Sequence, residues 1–154
     1  MNIVLGVHVK HDRSACIIID GKVVVNIANE RLDRVKYSDS PEIPYTAVDA
    51  VLKHCNIDIS QVSCIGMSGA GIESEKVKQF YKDDFFDHYR CREIPFFFLS
   101  HHWAHAYSSF CSSTFSESLI FVADGGGDYI GDKQEAETLY YGSHGKIQPL
   151  AART

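Results

Sequence analysis

The sequence predicts an α/β protein built on a mixed sheet, followed by the opening of the same pattern a second time. Two observations carry this reading. Residues 2–30 form three consecutive strand patterns, and residues 45–113 then alternate helix and strand. From residue 118 a strand, a glycine turn and a further pair of strands restart the series.

The elements follow in order. "NIVLGVHV" (2–9) and "SACIIID" (14–20) are apolar runs of strand length, and Asp20-Gly21 is a two-residue hairpin turn into "KVVVNIANE" (22–30). Residues 31–44 are polar and charged and read as a loop. Over 45–55, Ala47, Val48, Val51, Leu52 and Cys55 share one helical stripe. "VSCIGMSG" (62–69) reads as a buried strand, and 72–89 has helical spacing at Val77, Phe80, Tyr81 and Phe85. "IPFFFLS" (94–100) lacks alternation and is expected to be a strand buried on both faces. Ser100 is placed as the N-cap of a helix over 101–113. The second series runs from the strand "SLIFVADGGGD" (118–128) to two strands joined at Ser143–Gly145. Residues 1–115 thus read as a first unit and 116–154 as an incomplete second one; alternatively, the last segment completes a single mixed sheet.

A chain of 154 residues, 45% hydrophobic and 23% charged, can bury a core. Its formal charge of −5 argues against a nucleic-acid footprint but leaves a small anionic ligand open. No basic-then-apolar start and no apolar run of spanning length point to a membrane. The five cysteines are scattered, odd in number and without a CxxC, which fits free thiols in a reducing cytoplasm.

Two clusters carry candidate chemistry. In "HHWAH", His101 and His105 lie at i and i+4, on one polar helical stripe with Ser108 and Ser112. Trp103, Ala106, Tyr107 and Phe110 form the opposite, core-facing stripe, and His102 falls between the two. Such a histidine pair can aim two imidazole nitrogens at one metal ion, although hydrogen-bonded histidines would show the same spacing. The absence of an adjacent glutamate disfavours zinc-protease chemistry. In "VADGGGD", Asp124 stands at a strand end as a possible third ligand. Gly125, Gly126 and Gly127 let backbone N–H groups approach an anion, or simply make a tight turn capped by an aspartate. A third cluster, around His11, Arg13, Arg31, Arg34 and Lys36, reads by itself as a solvated charged face.

Together these segments resemble the O-carbamoyltransferases that act on antibiotics and nodulation factors. The likeness lies in "HHWAHAYSSFCSSTFSESLIFVADGGGD" and in "HDRSACIIIDGKVVVNIANERLDRVKYS", and it extends over essentially the whole chain. It implies a ribonuclease-H-like unit of the actin-like ATPase and sugar-kinase superfamily, followed by the start of a second. It also implies that His101, His105 and Asp124 bind a divalent metal, iron(II) foremost and zinc as the alternative. Gly125, Gly126, Gly127 and Asp128 would contact a nucleotide, and His11 and Lys36 would stand near the reacting group. The implied reaction moves a carbamoyl group from carbamoyl-adenylate, made from carbamoyl phosphate and ATP, to an acceptor hydroxyl on a small molecule.

The chain departs from the family pattern at "SSTF" and at Asp128, where glutamate is common. Family members are also several times longer. The resemblance therefore implies that further segments, or a partner chain carrying them, complete the site, and that uncovered apolar surface favours self-association. A non-catalytic metal- or nucleotide-binding module derived from the family is the competing expectation.

Overall fold

The computed structural model describes residues 1–36, 40–91 and 94–154. Residues 37–39 of the expected polar loop lie outside that range. The chain divides into two compact units, 1–69 with 74–98, and 70–73 with 99–154. This is a division by packing, a different quantity from a repeat boundary at 115/116.

In the first unit, β1 (Ile3–His8), β2 (Ser14–Ile19) and β3 (Lys22–Ala28) form an antiparallel meander. The Asp20-Gly21 turn has φ of 49° and 82°, as a two-residue hairpin with both central residues left-handed requires. A short helix, α1 (Glu30–Asp33), interrupts the expected loop. Helix α2 (Tyr45–Cys55) follows; β4 (Cys64–Ser68) then pairs with β1 in parallel, Val4 opposite Cys64. With α3 (Glu75–Tyr89) and β5 (Phe96–Leu99) the sheet order is β3-β2-β1-β4-β5.

One face of this sheet presents Ile3, Leu5, Val7, Ala15, Ile17, Ile65 and Met67, all buried. Helix α2 buries Ala47, Val48, Val51 and Leu52 and ends where Asn56 turns left-handed, returning its N–H to the Leu52 and Lys53 carbonyls. Two expectations are corrected here. Helix α3 buries Phe86 rather than Phe80, which is exposed. Strand β5 is not buried on both faces, because Phe97 points to solvent.

The second unit opens with α4 (His101–Ser112), followed by β6 (Glu117–Ala123). A small hairpin, β7 (Tyr129–Ile130) with β8 (Lys133–Gln134), precedes β9 (Glu137–Ser143) and β10 (Lys146–Arg153). The order β10-β9-β6, all antiparallel, repeats that of β3-β2-β1. The β9–β10 turn, His144-Gly145, repeats the two positive φ angles, 48° and 76°. Ala106 and Phe110 of α4 pack with Ile120, Val122, Tyr140 and Ile147, with Trp103 and Tyr107 against them. On the other face Leu119 and Phe121 are 67% and 63% exposed. No helix among the described residues is long and apolar enough to cross a membrane. All five cysteines are free thiols.

Candidate metal centre

The apolar stripe of α4 fixes which way its polar stripe faces. With Ala106 and Phe110 turned into the core, His101 and His105 project together on another side of the helix. Strand β6 ends at Ala123, so Asp124 is the first residue to leave the sheet, its N–H still held by the Ala136 carbonyl. These two elements bring three ligand atoms together. His101 Nε2 is 2.6 Å from Asp124 Oδ2, His105 Nε2 is 3.4 Å from the same oxygen, and the two Nε2 atoms are 3.2 Å apart. One ligand atom from each residue can be chosen so that all lie within 4.8 Å of one another.

The burial is graded: the side chain of His101 is 2% exposed, that of Asp124 32% and that of His105 53%. The group is therefore rooted in the protein and open on one side. Burial alone would push the Asp124 carboxyl up. The hydrogen bonds from His101 and from the Gly125 N–H, with the two imidazoles close by, outweigh it and hold the carboxyl below the usual range. Two imidazole nitrogens and a carboxylate oxygen are a donor set for a divalent ion with positions left for other ligands. The group can hold a metal ion.

Asp128 has a distinct placement. It is buried, and its carboxylate accepts the His101 N–H at 2.9 Å and the Gly71 N–H at 3.3 Å. Ser100 occupies the N-cap position of α4 without a side-chain capping bond, so Asp128 supplies the cap from 27 residues away. Burial pushes Asp128 up to about 6; the backbone N–H of His101 works against this, and the carboxyl of Glu73 adds to it. Of the three glycines, Gly125 gives its N–H to Asp124 Oδ1 and Gly127 to the Glu135 carbonyl, both at 2.6 Å.

His102, between stripes in the sequence, is fully buried. Its Nδ1 is 2.8 Å from Thr138 Oγ1, and the Thr138 hydroxyl donates to Glu135 Oε1. Burial depresses the His102 imidazole below its usual range, against the pull of Glu135. Thr138 and Glu135 carried no sequence signal: they lie on or beside a strand in a polar stretch, and only the pairing of β9 with β6 brings them under α4.

His11 and Lys36 belong to the first unit. His11 is exposed, with Nδ1 3.0 Å from Asp12 Oδ2, in a turn where Lys10 and Asp12 take φ of 75° and 53°. Lys36 is exposed just after α1. The sequence reading overlooked His8, whose ring lies edge-on to His11 at 6.0 Å and whose Nδ1 is 2.9 Å from Ser68 Oγ.

No family model matches the chain. It is 29% identical over 160 residues to nodulation protein NolNO of Sinorhizobium fredii, covering 92% of this chain and 22% of that protein. It is 30% identical over 126 residues to the uncharacterized protein MJ1051 of Methanocaldococcus jannaschii, covering 81% of this chain and 22% of the relative. The chain spans about a fifth of the length of these relatives. Among solved structures, YeaZ from Pseudomonas aeruginosa superposes with a TM-score of 0.60 at 12% identity, over 98% of this chain and 65% of that one. A second structure, of an uncharacterized protein from the same organism with similarity to peptidase YEAZ, gives 0.58 at 12%. These likenesses place the chain in the actin-like ATPase fold, as expected. The homology to NolNO bears out the family resemblance read from the motifs.

Proposed function

With the homology to nodulation protein NolNO as premise, we propose that this chain is the metal-binding part of an O-carbamoyltransferase. The observation that carries the reading is the convergence of His101, His105 and Asp124. These three residues would hold a divalent ion, iron(II) by family expectation and zinc as the alternative. The ion would supply Lewis-acid polarisation and orientation of the carbamoyl donor.

The chain's own residues would do the rest. An acceptor hydroxyl oxygen bonds to the carbamoyl carbon, the carbon–oxygen bond to the adenylate phosphate breaks, and AMP leaves. His11 takes the hydroxyl proton, and the Lys36 ammonium balances negative charge developing on the oxygens. The glycine turn 125–127, with Asp128 at its end, contacts the nucleotide. The donor, carbamoyl-adenylate, is made from carbamoyl phosphate and ATP by polypeptide outside these 154 residues, in a longer protein or a partner chain. The acceptor is a hydroxyl-bearing small molecule, and the setting is the cytoplasm.

The reading is tested by metal titration of the 154-residue chain with Fe(II), anaerobically, and with Zn(II). One equivalent should bind, and His101→Ala, His105→Ala or Asp124→Asn should each abolish stoichiometric binding. Equal metal content in wild type and variants overturns it.

A second reading, a binding module without catalysis, draws support from the placement of Asp128 and the glycines. The Asp128 carboxylate and the Gly125 and Gly127 N–H groups are already engaged within the chain. Carbamoyl transfer by this chain together with the further segments, and its loss in His11→Ala, separates the two readings.

A further inference from the structure

We propose that His102 is a positioning residue for the metal centre. Through Thr138 and Glu135 it locks the first turn of α4 so that His101 and His105 stay aimed at Asp124. The inference rests on the metal reading of those three residues.

The hydrogen-bond chain has one consistent direction. The Thr138 hydroxyl donates to Glu135 Oε1, so its oxygen is left to accept, and His102 Nδ1 at 2.8 Å is the donor. His102 is thereby held as the Nδ1–H tautomer, with a bare lone pair on Nε2. That Nε2 is buried without a hydrogen-bond partner among the described residues. It lies against Gly127, where an added Cβ would sit 2.7 Å from Nε2, 2.8 Å from Cδ2 and 3.0 Å from Glu135 Oε2.

His102, Thr138 and Glu135 are all buried polar residues, and a leucine at 102 would fill the space without an orphaned acceptor. What an apolar residue cannot supply is direction. The apolar contacts of α4 through Trp103, Ala106, Tyr107 and Phe110 are non-directional. Besides the His101 ring's bond to Asp124, the first turn of the helix is tied by two directed bonds, the His101 N–H to Asp128 and the His102 ring to Thr138. Glu135 also ties the other side of the site. Its carbonyl accepts the Gly127 N–H and its own N–H donates to the Asp128 carbonyl, so one residue braces both α4 and the turn that follows Asp124. Partners that orient metal ligands from outside the coordination sphere typically change affinity about 10–100-fold when removed.

The test uses the 154-residue chain and Co(II), whose visible d–d absorption reports coordination geometry. Thr138→Val, which keeps the shape and removes the hydroxyl, and His102→Leu should each weaken Co(II) binding about tenfold or more and alter the spectrum. The Tm without metal, read beside each titration, separates loss of aim from loss of fold. His102→Asn, whose side-chain N–H can replace Nδ1–H, should recover most of the affinity, and His102→Gln, whose amide reaches toward Nε2, should not. Wild-type affinity and spectrum in folded Thr138→Val overturn the proposal even if His102→Leu fails to fold. So does a loss that parallels Tm with no rescue by asparagine. No Co(II) binding by the wild-type chain overturns the metal reading itself, and the positioning role with it; wild-type binding with unchanged variants overturns only the positioning role.

Discussion

Gly142 is the penultimate residue of β9 and has no positive φ, so its backbone could carry an alanine. The space could not: a methyl there would stand 2.9 Å from Cδ2, Cε2 and Cζ of Phe110, about 0.5 Å inside ordinary contact. The Phe110 ring packs among Ala106, Ile120, Val122, Tyr140 and Ile147, and close-packed interiors leave a ring little room to shift. Two effects oppose each other in Gly142→Ala. The unfolded chain loses freedom, which favours folding by about 0.4–1 kcal/mol. Overpacking a filled core costs about 1–3 kcal/mol. The clash outweighs the gain, for a net loss of about 1–2 kcal/mol, or about 2–8 °C in Tm for a chain of this size. Urea and thermal denaturation measure it. Phe110→Leu, which vacates the ring positions, should recover at least about 1 kcal/mol of the loss in a double-mutant cycle. Because Phe110 and the metal ligands share α4, Gly142→Ala should also weaken metal binding. A Gly142→Ala chain as stable as wild type, or an additive cycle, would refute the reasoning.

Other outcomes are expected. Gly6→Ala should destabilise the first unit, since the methyl would stand 2.5 Å from Cys16 Sγ across the β1–β2 pair; Cys16→Ala in the same chain should relieve it, as read by Tm. The Asp58 carboxyl is held below its usual range by the Ser60 hydroxyl first and the Ser60 N–H second. Its folded value is lowered, so its contribution is present above the unfolded pKa and is lost as pH falls through the folded one. Asp58→Ala should therefore flatten the acid limb of stability against pH. Metal affinity should fall on acidification, because bound imidazoles must give up their protons, and a chelator should strip the ion and lower Tm. Equilibrium dialysis of the 154-residue chain with ATP should show weak binding or none, because on the proposed reading these residues supply only part of the nucleotide cleft.

How far the sequence revealed this protein depended on whether a feature was local. Helix α2 has the limits its periodicity predicts because its apolar spacing and its left-handed stop at Asn56 lie within a dozen residues. The two hairpin turns were legible for the same reason. His101 and His105 share a helical face by spacing alone, and the strand end placed Asp124 as a third candidate. The cap on α4 was not legible: serine at 100 is a good capping residue, yet Asp128 does the capping by a contact 27 residues long. Thr138 and Glu135 were hidden for the same reason, as the β6–β9 register is what sets them beneath His102. Phe80 and Phe86 show a different failure, in which several aromatic residues on α3 offered two plausible apolar faces and packing chose between them.

The repeated turns at Asp20-Gly21 and His144-Gly145 bear on the order of assembly. Each closes a hairpin between neighbours in sequence, an event of about 1–10 μs in isolated hairpins. The parallel pairing of β1 with β4 must bring Val4 to Cys64 and close a far longer loop. Folding should then begin at two separate nuclei of the same shape. Substitutions in either turn would slow folding, whereas substitutions along β4 would chiefly hasten unfolding.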